Sequence, residues 1–68
     1  MNLSPARLIA ILEQNGFVLK RSKGSHFLYY NAATNKTAVV PVHGGKDLKK
    51  GTFLAIMKQA GIDRKGLL

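Results

Sequence analysis

The chain has 68 residues, 46% of them hydrophobic and 21% charged, which argues for one folded domain over residues 1–68 and against disorder. Eleven Lys and Arg against three Asp and Glu leave a net charge of +8, and there is no Cys. That composition excludes a disulfide scaffold, a thiolate zinc site and a cysteine nucleophile, and it points to a polyanion or an acidic protein as partner.

No apolar run approaches the ~18 residues of a membrane-spanning helix, so no membrane role is expected. The first residues lack an apolar stretch with a small-residue cleavage site, so a cytoplasmic protein is expected. A domain this small buries only ~60% of its unfolded surface, which disfavours a deep substrate cavity. The positive charge is distributed. Arg7, Lys20, Arg21 and Lys23 against Glu13 give +3 in residues 1–34. Lys36, Lys46, Lys49, Lys50, Lys58, Arg64 and Lys65 against Asp47 and Asp63 give +5 in residues 35–68. Lys20-Arg21-Lys23 and Lys46-Lys49-Lys50 form two clusters with almost no acidic neighbours, whereas a surface built only for solubility mixes both signs.

The first predicted element is a helix over about residues 5–15. Ser4 is a good N-cap, and Pro5 fits the first helical position, where a missing N–H costs nothing. Leu8, Ile9 and Leu12 recur at helical spacing, Ile11 widens the apolar face, and Gly16 can adopt the left-handed conformation that ends a helix. Three strands follow. Phe17–Arg21 is the first, and Lys23-Gly24 reads as the hairpin turn after it. His26–Tyr30 is the second, rich in aromatics. Asn31–Lys36 is a polar loop, and Thr37–Val40 is the third strand, with Pro41 at its end. After a connection containing Gly44-Gly45, Phe53, Ile56, Met57 and Ala60 mark one face of a second helix. Gly61 is its stop; Asp47 and Thr52 are both candidate caps at its start.

The order helix, three strands, helix predicts an α+β fold in which a three-stranded antiparallel sheet buries one face under both helices. Leu3, Leu8, Leu12, Phe17, Leu19, Phe27, Tyr29, Val40, Phe53, Ile56 and Met57 are the expected core. If Phe27 and Tyr29 face the helices, His26, Leu28 and Tyr30 face away; the opposite register would also bury apolar side chains.

The stretch Lys20-Arg21-Ser22-Lys23-Gly24-Ser25-His26 is the candidate site. Arg and Lys neutralise phosphate, Arg bidentately. The hydroxyls of Ser22 and Ser25 can donate to phosphate oxygens, and Gly24 permits close approach of a ligand. His26 can move a proton near neutral pH. RNA carries its own nucleophile, the 2′-hydroxyl, so a ribonuclease needs only proton transfer and charge stabilisation. The competing reading is a structural histidine beside an ordinary turn. His43 reads as a loop or strand-end residue, and a His26–His43 pair supplies too few ligands for zinc. Tyr29 and Tyr30 could stack on bases if exposed. No metal or cofactor is expected.

Gly24-Ser25-His26 opening an apolar-aromatic strand resembles the signature of the HicA (YcfA-like) mRNA interferase toxins. Val40-Pro41 with His43, Lys49-Lys50-Gly51-Thr52 and Ile56–Ile62 resemble the family's third strand and second helix, so the resemblance covers nearly the whole chain. It implies a fold like the double-stranded-RNA-binding domain. It also implies a metal-independent endoribonuclease toxin of a type II toxin–antitoxin pair, held inactive by a HicB-type antitoxin. His26 matches the family's catalytic histidine, and Lys23, Gly24 and Ser25 match the adjoining turn. Lys20, Arg21, Ser22, Lys23, Gly24 and Ser25, with Lys46, Lys49 and Lys50 as a second cluster, are the expected RNA contacts. A monomer is expected when the toxin is free. A non-catalytic RNA-binding module would share fold and charge. A protein-interaction domain could use the same basic face for an acidic partner.

Overall fold

The computed structural model describes residues 2–63; Arg64 and Lys65 of the basic count lie outside the described residues. The elements are α1 (Pro5–Gln14), β1 (Val18–Lys23), β2 (His26–Asn31), β3 (Lys36–Pro41) and α2 (Lys50–Gln59). The strands form one antiparallel sheet in the order β1-β2-β3. The expected α+β fold, of the double-stranded-RNA-binding type, is the fold observed. Each strand reaches further than its apolar run, because ladder pairing extends into polar residues: Lys23 pairs with His26, and Asn31 with Lys36.

The helix ends follow local chemistry. Ser4 Oγ accepts a hydrogen bond from the Arg7 N–H at 3.1 Å, capping α1 behind Pro5. At its other end Gly16 takes φ +89°, and the Phe17 N–H returns to the Leu12 carbonyl at 3.0 Å. α2 repeats this device: Gly61 has φ +74°, and the Ile62 N–H reaches the Met57 carbonyl at 2.9 Å. In both cases the residue after the glycine carries an apolar side chain back onto the helix, which is the Schellman arrangement. The start of α2 differs from expectation. Its N-cap is Lys49, without a side-chain cap bond. Asp47 lies before the cap and Thr52 inside the helix, so neither fills that place.

One core joins both helices to one face of the sheet. Leu8 and Leu12 from α1 and Phe53, Ile56 and Met57 from α2 pack with Phe17, Tyr29, Ala38, Val40, Leu48 and Ala60. Phe27 and Leu3 are partly buried against it. Leu19 is a correction: it is 49% exposed. It shares the face of its partner Tyr29 but sits on the edge strand, and none of the six residues of β1 is buried. The Tyr29 phenol is pushed above its ordinary pKa, by burial first and by the Glu13 carboxylate second.

Asn31, read as loop, is a buried tie. Its Nδ2 donates to the Asn15 carbonyl at the end of α1, and its Oδ1 accepts from the Ala33 N–H, each at 2.9 Å. This bond fixes the direction of α1. Its C-terminal end lies beside the β2–β3 turn, and the Leu48 N–H donates to the Leu3 carbonyl near its start. α2 runs the same way, because a β-carbon on Gly61 would lie 2.6 Å from Lys36 Nζ at the start of β3. Both helices therefore begin at the end of the sheet that carries the β1–β2 turn.

Candidate nucleic-acid interface

The β1–β2 connection is a two-residue turn, Gly24-Ser25, one position later than the Lys23-Gly24 expected. Gly24 has φ +58° while Ser25 does not take positive φ. That pair of signs matches a type II′ hairpin turn, whose twist suits the flanking strands and which requires glycine first. The tight turn makes Lys23 and His26 direct cross-strand partners. The Ser25 carbonyl then accepts the Val42 N–H at 2.7 Å, tying the turn to the end of β3.

A β-bulge at Lys20 sets the rest of β1. Leu19 pairs with Tyr29 and Arg21 with Leu28, so Lys20 is the extra residue. Without the bulge, strict alternation would put Arg21 and Lys23 on the helix side. With it, both share the open face with His26. Of the two registers left open by the sequence, the one with Phe27 and Tyr29 toward the helices is observed.

Paired positions on the open face form three rows. The first is Lys23, His26 and Pro41; the second Arg21, Leu28 and Val39; the third Val18, Tyr30 and Thr37. Lys20 Nζ lies 4.8 Å from the centre of the Tyr30 ring, a cation–π contact, and the Tyr30 hydroxyl donates to Asn35 Oδ1 at 3.0 Å. Of the two tyrosines offered as stacking surfaces, Tyr29 is buried in the core and Tyr30 is engaged by Lys20.

Arg21, Ser22, Lys23, His26, Leu28 and Val39 line a cleft of about 530 Å³. Among the described residues no carboxylate lines it. His26 is exposed at its rim. A larger groove, about 690 Å³, runs along α2 past Gly51, Leu54, Lys58 and Asp63. Its described lining holds no imidazole, and the cleft at His26 is the better candidate because an imidazole, a guanidinium and an ammonium group converge there.

Lys46, Lys49 and Lys50 do not line the cleft. They lie on the connection after β3 and at the start of α2, at the same end of the molecule as the Gly24-Ser25 turn. His43 is exposed beyond β3, and its carbonyl accepts the Lys46 N–H at 2.8 Å. Among the described residues no three His, Asp or Glu side chains gather as metal donors. Leu28 and Val39 are the site residues that sequence reasoning passed over; their alternation with buried neighbours in β2 and β3 was the available signal.

The fold and cleft define a class: a small basic domain whose sheet presents a histidine among cationic side chains. Residues 6–62 match the family model described as the HicA toxin of bacterial toxin–antitoxin systems. The chain belongs to the HicA toxin family, and that membership implies an antitoxin partner. A comparison with curated proteins gave no match. Among the described residues no helix is long and apolar enough to cross a membrane.

Proposed function

We propose that this toxin is an mRNA interferase that cleaves RNA without a metal, with His26 as the proton-transfer group. The observation that carries the reading is the cross-strand pairing of Lys23 with His26 beside Arg21, in a cleft that no carboxylate among the described residues lines. The RNA 2′-hydroxyl attacks the adjacent phosphorus. A P–O2′ bond forms, the P–O5′ bond breaks, and the products are a 2′,3′-cyclic phosphate and a 5′-hydroxyl. His26 takes the 2′-hydroxyl proton or supplies one to the leaving 5′-oxygen. Water or a lysine fills the other role. Arg21 and Lys23, with Lys20 nearby, hold the phosphate and offset its developing charge. Ser22, Gly24 and Ser25 shape the turn against the backbone of the RNA. Lys46, Lys49 and Lys50 extend the track around the same end of the molecule. A HicB-type antitoxin silences the enzyme by covering the His26 turn, and the free toxin is a monomer.

Labelled RNA incubated with the toxin and a chelator tests this. The parent yields 5′-hydroxyl products. His26→Ala binds equally well but cleaves ~10²–10⁴-fold more slowly, the range for loss of a general acid or base. A variant that cuts as fast as the parent would overturn the assignment. Intact RNA with salt-sensitive binding would instead favour the non-catalytic module. Three phosphate contacts to single strands give a log–log salt slope of about −2 and six about −4, so removing Lys46, Lys49 and Lys50 together should flatten the slope by about 2.

A further inference from the structure

We propose that Leu28 and Val39 form the floor of a nucleobase subsite beside the scissile phosphate, so that the substrate is RNA in single-stranded form. The inference rests on the ribonuclease reading and adds the substrate's conformation to it.

Val39 is 42% exposed, while its chain neighbours Ala38 and Val40 are fully buried. Leu28, directly opposite on β2, is half-buried and is not among the residues packed against the core. The two side chains therefore make a contiguous aliphatic patch on the solvent side of the sheet. It lies one row from His26, a strand distance of about 7 Å. Arg21 flanks the patch in its own row, and Lys23 flanks His26 in the next. A wholly apolar ligand leaves these cations unmatched, and a simple anion leaves the aliphatic floor unused. A nucleotide presents both parts, a flat apolar face joined to an anionic phosphate. Tyr30 does not compete for the base, because Lys20 already lies over its ring.

The same geometry selects against a duplex. Paired bases show only their edges in the grooves, and their faces are closed by stacking. A base can lie on Leu28 and Val39 only after leaving its stack, which is least costly in an unpaired strand.

The test uses an unstructured labelled RNA oligonucleotide, alone or annealed to its complement, and toxin carrying His26→Ala so that binding is read without cleavage. Single strands should bind roughly five- to tenfold tighter than duplex at equal salt, as expected where a base covers about 40–50 Å² of aliphatic surface. Leu28→Ser with Val39→Ser should abolish that preference and leave duplex binding unchanged. Val39→Ser alone, at an exposed position, should reduce it with no risk to folding, and Val39→Phe should increase it. Equal binding of the two RNA forms by the His26→Ala protein would overturn the proposal. So would a preference that survives the serine changes. Unaltered RNA binding by the double-serine variant with loss of antitoxin binding would assign this face to the protein partner and also overturn it. If the toxin with His26 intact cuts no RNA, yet the serine changes abolish the preference, the base subsite stands and the ribonuclease reading fails.

Discussion

The handedness of one residue offers a direct test of the site's construction. Gly24 sits at φ +58°, and a β-carbon added there would meet nothing within 4 Å. Any cost of Gly24→Ala is therefore conformational and not steric crowding. Holding an L-residue at the first position of a type II′ turn costs about 1–3 kcal/mol. Restricting the unfolded chain returns about 0.4–1 kcal/mol. The net expectation is destabilisation by about 1 kcal/mol, a fall of about 4–8 °C in melting temperature for a domain this size. A chain of this length is stable by roughly 3–10 kcal/mol, so the variant stays folded at room temperature. D-alanine at position 24, installed by total chemical synthesis, escapes the first term and keeps the second. It should stabilise by about 0.4–1 kcal/mol. Thermal melts followed by circular dichroism compare the three chains. RNA cleavage should follow the same order, because the turn sets the Lys23–His26 pairing. An L-alanine chain as stable as the D-alanine chain would refute the reasoning.

Three further perturbations test the frame around the site. Asn31→Ala removes two 2.9 Å bonds, one to the end of α1 and one within the β2–β3 turn, and should cost about 1–3 kcal/mol in urea unfolding. Asn31→Asp keeps the acceptor for Ala33 but sets a carboxylate oxygen against the Asn15 carbonyl at a buried position, so at neutral pH it should lose at least as much as Asn31→Ala; a smaller loss would show that the acceptor bond to Ala33 dominates. Deleting Lys20 excises the bulge without changing any cross-strand pair of β1, so the fold should persist and cleavage should match that of Lys20→Ala. A deletion far worse than the alanine change would show that the kink itself is needed. The Tyr29 phenol has its folded pKa raised above 10.0, so the neutral form is favoured in the folded state. That contribution is fully present below the unfolded pKa and is lost as pH rises through the folded one. The stability of the parent relative to Tyr29→Phe should be constant at neutral pH and decline above pH 10, and a flat difference would contradict the burial argument.

What the sequence disclosed, and what it withheld, follows from the range of the forces involved. Ser4, Pro5, Gly16 and Gly61 act within one helical turn, so both helix ends except the start of α2 were readable. That start depends on no side-chain cap, and Lys49 gives no local signal. The apolar runs placed all three strands, but alternation could not choose a face for β2, because both of its faces carry apolar side chains. The choice is tertiary: Phe27, Tyr29 and Asn31 line up with the helices, and only packing reveals it. The cationic stretch was legible as composition and not as geometry. A one-residue bulge at Lys20 decides which cations join His26, and a bulge leaves no mark in a sequence of polar residues. Leu19 reads as a core residue because leucine usually is; among the described residues no element covers the edge strand where it sits.

The edge position of β1 has a consequence for function. None of its residues is buried, so the strand is held by its ladder to β2 and contributes little to the core. Changes to its side chains can therefore alter the site with little effect on stability, which a residue such as Tyr29 could not do. An exposed edge strand, however, offers unpaired backbone groups to another chain. Val18 and Leu19, at 62% and 49% exposure, would favour such pairing. Lys20, Arg21 and Lys23 oppose it by repulsion, and the bulge interrupts the flat edge that a second strand would need. On the proposed reading the same three cations serve twice. They neutralise phosphate when RNA is bound, and they keep the free toxin from pairing with another copy of itself. Neutralising all three should thus weaken RNA binding and promote association together, whereas neutralising Lys46, Lys49 and Lys50, which lie on no strand edge, should weaken RNA binding alone.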